Sequence, residues 1–404
     1  MTRRTHDIVL LGVTGFTGRQ VAAWFARHVP RSDVRWALAA RSRPRLEAVR
    51  EALGPEFGDV PLLTVDTLDG AAVDAMARST RVLLTTVGPY ARFGDLVVDA
   101  CVENGTDYVD ITGETPWVRR LIERHHDRAA VAGTRIVPFC GFDSVPSDLG
   151  AWMVVRHLRE AYGQETREVR AAFRARGGFN GGTLASALNL LAAERPRDLA
   201  DPFTLNPPDR RPGPAAGRSR DPVRAFVDPE LGPVAPFFMG PVNTRVVRRT
   251  DALLRQRGRG HGEDFAYQEY MSVTGRAMGM AVVLGMAGFA ALGRLAVIRR
   301  LLAWLGPAPG EGPSAAQMDA GWFSARFVGV GVDGVKVAGR VHGTGDPGNR
   351  CTVQMLCTCA VLLVQERARL PAGGGVLTPA AAFGGVLIER LKEQGMTWEV
   401  GALE

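Results

Sequence analysis

Three glycines, at 12, 15 and 18, stand between the apolar run Ile8-Val9-Leu10-Leu11 and the helical pattern Arg19-Gln20-Val21-Ala22-Ala23-Trp24-Phe25. In the full run Gly12-Val13-Thr14-Gly15-Phe16-Thr17-Gly18, the first glycine permits a tight strand-to-helix turn and the second lets backbone approach a pyrophosphate. The third lets the helix pack on the strand. The helix N-terminus then offers free N–H groups and positive dipole to the phosphates. A turn of this kind needs a parallel strand beside it, which restricts the chain to an α/β architecture with its ligand at the carboxyl ends of the strands.

The rest of the first third agrees. The runs IVLLG, VRWALAA, VPLLTV, RVLLTTVG, YVDIT and RIVPFC alternate with arginine-rich amphipathic stretches between residues 8 and 140, the grammar of βαβ units. We read an N-terminal Rossmann domain, residues 1–142, with a doubly wound parallel sheet. A second α+β domain with a mixed sheet follows over residues 143–404. Within it lie a glycine cluster at 177–182 and a proline- and arginine-rich excursion at 195–236, where ten of the 25 prolines fall between Pro196 and Pro236. The tail alternates as strands (FSARFVGVGV, VKVAGRVHG) and ends in helices through Leu391.

The second strand ends Leu38-Ala39-Ala40-Arg41-Ser42, and no acid lies between Val34 and Leu46. An enzyme that holds a ribose 2′-hydroxyl places an Asp or Glu there, whereas the planar fork of Arg41 suits a 2′-phosphate. NADP, as NADPH, is therefore expected over NAD. The residues expected to bind it are Gly12, Thr14, Gly15, Phe16, Thr17, Gly18, Arg41 and Ser42, with Thr86 and Gly88 at the end of the fourth strand. Asp66, which closes the third strand, reads as the cap of the next helix.

The chemistry is narrowed by what is missing. Only Lys336 and Lys392 are lysines, and the residues four before them are Val332 and Ile388, so the Tyr-Lys pair of short-chain dehydrogenases is absent. No zinc-ligand spacing and no GxSxG nucleophile elbow occurs, and no metal is expected. Tyr90 is the first candidate proton donor because it follows Gly88-Pro89 at the expected nicotinamide side of the crevice, with Tyr108 and Ser144 behind it. Strand alternation sends Tyr108 and Asp110 to one face. Asp143 or Ser144 reads more readily as a helix cap, with Asp148 in the first turn of that helix.

Of the 49 basic residues, 47 are arginines, and Arg195–Gly260 holds 13 of them against 7 acids, a surplus of 6 beside a net charge of +7. That predicts one basic region, but with few aromatics and no recognisable module it is not read as a nucleic-acid surface. An acidic protein or anionic lipid fits it. Five cysteines without a CxxC pair, and an N-terminal run too short and glycine-broken for a signal peptide, predict a cytoplasmic protein that starts near Met1. Ala277–Gly293 are seventeen residues without a charge. A buried core helix, a membrane-adhering or acyl-covering hairpin, and a bilayer span all remain open for them, so the localisation extends to membrane association.

The motifs GVTGFTG (12–18), AARS (39–42), VGPYARFG (87–94), YVDITGE (108–114), CGFDSVPSDLG (140–150), GGTLAS (from 181), APFFMGPVNTRVVRRTDALL (235–254), GEGPS (310–314) and GGVLTPAAAFG (374–384) together resemble the saccharopine dehydrogenase-like oxidoreductases, and within them the trans-acting enoyl reductases. The resemblance implies NADPH-dependent reduction of an enoyl thioester, delivered on an acyl carrier domain of a partner synthase, in polyketide- or lipid-type metabolism. The second domain would then take the acyl thioester, with peripheral membrane contact through the apolar segment. A saccharopine dehydrogenase-like imine or amino-acid reductase, and a non-catalytic NADP-binding sensor or scaffold, are the alternatives. One departure stands out: the family's GDPGY turn reads Gly345-Asp346-Pro347-Gly348-Asn349 here, followed by Arg350-Cys351-Thr352 where the family has a Thr-Ala-Lys stretch.

Overall fold

The computed structural model describes residues 4–178, 201–207, 219–293, 295, 297–300 and 310–403. Seven parallel strands form the first sheet: β1 (His6–Leu11), β2 (Trp36–Ala40), β3 (Leu62–Thr64), β4 (Thr80–Thr85), β5 (Asp107–Val109), β6 (Arg135–Val137) and β13 (Gly375–Val376). They lie in the order β13-β6-β5-β4-β1-β2-β3. β1 is central and buried on both faces, which is why it reads as a continuous apolar run. Ile8 and Leu10 face the core shared with the second sheet, while Val9 and Leu11 face a separate core with Tyr90, Tyr108 and Trp117. The order reverses direction between β1 and β4, so the crevice for a nucleotide opens beyond Gly12 and Thr86.

The second sheet is mixed. It comprises β7 (Thr166–Arg176), β8 (Phe226–Asp228), β9 (Gly232–Pro236), β10 (Ala266–Ser272), β11 (Trp322–Gly331), β12 (Lys336–Thr344) and β14 (Thr397–Ala402), in the order β14-β12-β11-β7-β10-β9-β8. Only β7 and β10 pair in parallel. The helix Val145–Tyr162 covers one face of it, with Gly150 passing so close to the Phe327 ring that a side chain there would overlap it. The helix Thr352–Gln365 instead packs on β1, β4 and β5 of the first sheet. The first sheet thus takes a strand and a covering helix from beyond residue 142. A division at 142/143 follows chain order but not sheet membership.

Three sequence expectations meet a different arrangement. The end of the proline-rich excursion, residues 226–236, forms β8 and β9, an antiparallel pair at the sheet edge where proline is tolerated. The expected basic region loses three of its arginines to the interior: Arg245, Arg248 and Arg249 lie on the buried face of the helix Gly240–Gln256. Arg248 donates to the carbonyls of Pro202 and Tyr267 at 2.9 and 3.0 Å and lies over the Phe203 ring, and Arg245 pairs with Asp221. Burial pulls Arg248 and Arg249 down to about 10. Finally, the apolar segment is not a core helix. Arg276–Leu292 is helical, yet Met280 and Leu284 are 57% and 65% exposed, with Met278, Phe289 and Leu292 also exposed. Among the described residues no helix is long and apolar enough to cross a membrane.

Candidate active site

The glycine turn is shaped by contacts only glycine allows. Gly12 has φ 92°, donates to the Ala39 carbonyl at 2.8 Å, and would place a Cβ 2.7 Å from the Val87 side chain. A Cβ on Gly18 would overlap the Gly12 carbonyl oxygen, so the helix Phe16–His28 starts in direct contact with the strand end. Its N-cap is Gly15, which has no side chain to satisfy the first-turn N–H groups. Those donors face a cradle that backbone alone has shaped, and a pyrophosphate fits it. Arg19 braces the turn from Thr14 to Gly310, donating to both carbonyls, and Gly312 lies against the Phe16 ring. The later part of the chain therefore folds over the turn.

At the end of β2, Arg41 is exposed and makes no hydrogen bond or ion pair among the described residues, whereas its neighbour Arg43 is paired with Glu47. Ser42 caps the helix Arg43–Leu53 in position only; its hydroxyl makes no cap bond. An unpaired guanidinium beside a free hydroxyl suits a 2′-phosphate. Asp66 accepts from Leu68 N in a turn, and the cap of the following helix is Asp69, which accepts from Ala71 and Ala72. Thr86 hangs its hydroxyl between the Leu11 and Gly12 carbonyls, 3.4 Å from each, and Gly88 leads into a cis peptide before Pro89.

The three hydroxyls read as proton donors are held differently. Tyr90 is 5% exposed, stacks on Trp117, donates to the Thr85 carbonyl and accepts from Ile111 N, both at 3.4 Å. Burial first, then Asp110, Glu114 and Asp143, push its phenol well above the ordinary range. Glu114 accepts from Tyr90 N and Ala91 N, both at 2.9 Å, and so caps the helical turn that carries Tyr90. Tyr108 is fully buried and donates to Asp110 at 2.7 Å. Ser144 is fully buried too, and donates to Asn243 at 3.3 Å. The structure brings Tyr90 and Tyr108 together under the ends of β4 and β5, and places Ser144 at the start of the helix Val145–Tyr162, bonded to Asn243.

Several carboxylates do more here than the sequence suggested. Asp110 accepts from Tyr108, Thr112 N and Phe139 N, and so holds Phe139 at φ 66°, where non-glycine residues are rare. Asp148 accepts from Thr250 and from Ala380 N at 2.7 Å, capping a helix 232 residues away. Glu269, missed in the sequence, accepts from Ser147, Tyr267 and Asn243. Burial raises Asp110, Asp148 and Glu269 to about 7 each. Nothing local marks Glu269, because all its donors come from other elements. Asn349 is buried and donates to Asp346 Oδ1 at 2.8 Å, within the turn that replaces the family's tyrosine. The residues Gly181, Gly182 and Thr183 lie outside those described. A separate cleft of about 1290 Å³, lined by Trp152, Arg257, His261 and Gly373, is remote from the glycine turn and shares none of its residues.

The family model of the saccharopine dehydrogenase NADP-binding domain matches residues 8–137. A Mycobacterium tuberculosis protein provisionally named a trans-acting enoyl reductase is 41% identical over 100% of this chain and 99% of its own. The chain belongs to the trans-acting enoyl reductases of the saccharopine dehydrogenase family. Proteins named trans-acting enoyl reductase from Mycobacterium bovis and Mycobacterium ulcerans are each 37% identical, over 97% and 98% of this chain and 97% of theirs. Saccharopine dehydrogenase (L-Glu forming) from Saccharomyces cerevisiae shares the fold, with a TM-score of 0.56 at 14% identity over 98% of this chain and 100% of that one. Membership makes the protein an NADP-dependent oxidoreductase of this family, with NADP(H) as its cofactor.

Proposed function

We propose that the protein reduces the carbon–carbon double bond of an enoyl thioester with NADPH, on an acyl chain presented by a carrier domain of a partner synthase in polyketide- or lipid-type biosynthesis. The observation that carries this reading is the end-to-end similarity to proteins named trans-acting enoyl reductase, combined with an intact glycine cradle and a free Arg41. NADPH, when bound, supplies a hydride. Gly12 to Gly18 would hold its pyrophosphate, Arg41 and Ser42 its 2′-phosphate, and Thr86 and Gly88 the wall beside its nicotinamide. Tyr90, anchored by Glu114 and Trp117, orients the end of β4. Tyr108 and Ser144 brace the crevice floor through Asp110 and Asn243. Catalysis by such a site is mostly positioning and charge stabilisation.

We also propose peripheral membrane contact through the helix Arg276–Leu292. No Asp or Glu occurs from residue 270 to 310, while Arg276, Arg294, Arg299 and Arg300 do. An apolar helix with much of its surface exposed and flanked only by positive charge suits the interface of an anionic bilayer.

The decisive test of the reduction is fluorescence titration with NADPH and NADH followed by a panel of 2-enoyl thioesters. Substrate-dependent NADPH oxidation establishes the reductase. Tight NADPH binding with no turnover on any thioester favours a sensor or scaffold instead, and turnover only on an imine or amino acid favours the saccharopine dehydrogenase-like reaction.

A further inference from the structure

The loop 138–144 leaves β6 at the carboxyl edge of the first sheet, next to β5, and crosses to the second sheet. Its backbone is fixed at several points. Phe142 is wedged edge-on against Phe173 and Phe323, and its N–H donates to Thr352 at 3.1 Å. Ser144 N and Val145 N both return to the Gly141 carbonyl, at 3.2 and 2.9 Å. Asp143 sits inside this closed turn, half-buried, near Tyr90.

The surrounding carboxylates all have donors: Asp110 has Tyr108, Thr112 N and Phe139 N; Glu114 has Tyr90 N and Ala91 N; Asp148 has Thr250 and Ala380 N. Asp143 alone among them makes no hydrogen bond and no ion pair among the described residues. A half-buried carboxylate with neither donor nor cation among the described residues is disfavoured against its neutral acid. Burial, the sole cause acting on it, raises Asp143 to about 6. The neutral acid carries an O–H that no group among the described residues accepts, whereas the Tyr108 and Ser144 hydroxyls are committed to Asp110 and Asn243.

We infer that Asp143 is the proton donor of the reduction, giving its carboxyl proton to the α-carbon of the enoyl thioester. This rests on the enoyl reduction proposed above. Hydride addition forms the β-carbon C–H bond and leaves the displaced electron pair delocalised over the α-carbon and thioester oxygen. That pair then forms the α-carbon C–H bond as the Asp143 O–H breaks, and water restores the proton to the carboxylate. The oxidised and reduced partners are NADPH and the alkene.

The test compares the full-length wild type with Asp143→Asn and Asp143→Glu, using turnover of 2-enoyl N-acetylcysteamine thioesters at about pH 6, where the carboxyl still holds its proton, NADPH fluorescence titration, and thermal melting at about pH 8, where it is ionised. Asp143→Asn is expected to lower kcat by roughly 100-fold or more, leave NADPH affinity within about threefold, and raise Tm, because a buried unpaired charge is removed. Asp143→Glu should recover part of kcat. A variant with kcat within about threefold of wild type overturns the assignment. So does a kcat loss accompanied by lower Tm and weaker NADPH binding, the pattern of a structural residue. If Asp143→Asn does not fold, Asp143→Ala supplies the same comparison. A wild type inert on every thioester ends the enoyl reading and this role with it, while an active wild type beside an active Asp143→Asn removes this role only.

Discussion

A side chain at Gly18 would drive its Cβ into the backbone carbonyl oxygen of Gly12, so the first helix can begin at the strand end only while position 18 stays glycine. That contact aims the helix N-terminus at the space where a pyrophosphate belongs. Gly18→Ala must separate strand from helix, and we expect a cost of about 1–3 kcal/mol together with loss of NADPH binding. Thermal melting and NADPH fluorescence titration on the same sample check both; an alanine variant that melts and binds like wild type would refute the close approach.

Arg41 is exposed and has no partner among the described residues, so its removal should leave the fold untouched. Losing one charged hydrogen-bonding group to a phosphate costs about 1.5–3 kcal/mol, or roughly 10- to 150-fold in affinity. Arg41→Ala should weaken NADPH by that factor and leave NADH binding unchanged. Equal weakening of both cofactors would place the 2′-phosphate elsewhere.

Four carboxyl groups, Asp110, Asp143, Asp148 and Glu269, are held above their ordinary range by burial, at about 6 to 7. The folded state therefore binds more protons than the unfolded state between about pH 4 and pH 7. The stability these groups contribute is fully present below about pH 4 and is lost as pH rises through about 7. Carboxylates held low by cations, such as Glu230 at about 2, act in the opposite direction only below about pH 4.5. Histidines held low by burial, His261 at about 4 among them, also act in the opposite direction up to about pH 6.5, so Tm should fall from about pH 6.5 to pH 8. Asp143→Asn should remove about 1–3 kcal/mol of pH dependence over the whole range from about pH 4 to pH 8, read as the difference from wild type in melts at several pH values; identical curves in wild type and variant would contradict the burial of Asp143.

Arg248 bridges two carbonyls from different segments, Pro202 and Tyr267, with a planar fork. A lysine supplies a single point of donation and cannot span both. Arg248→Lys should destabilise by about 1–3 kcal/mol despite conserving charge, as measured by chemical denaturation. No change would mean that packing over Phe203, and not the bridge, gives the residue its value.

Leu284 is 65% exposed on the apolar helix. Leu284→Asp should leave Tm within about 1 °C, since surface changes of this kind cost within roughly 0.5 kcal/mol, yet abolish sedimentation with phosphatidylglycerol vesicles. Failure of the wild type to sediment with such vesicles would remove the membrane contact.

Much of the protein was determined locally and is legible in the chain. The glycine spacing, the continuous apolar strands and the absence of an acid near Arg41 depend on neighbours within a few residues, so they give the parallel sheet, its phosphate turn and the preference for NADPH. The folded chain decided what depends on distant neighbours. β13 joins β6 from about 240 residues away, and the helix Thr352–Gln365 covers β1 and β4. Arg245, Arg248 and Arg249 look like surface charges in sequence, and only the elements packed around them make them interior. Asp143 and Asp148 show the difference most directly. Five residues apart at the start of one helix, they resemble a cap and a first-turn acid, but Thr250 and Ala380 reach Asp148 while no described residue bonds to Asp143. A residue's type sets which bonds it can make; which partners arrive from elsewhere in the chain sets whether a carboxyl group is a structural anchor or an acid left open to substrate.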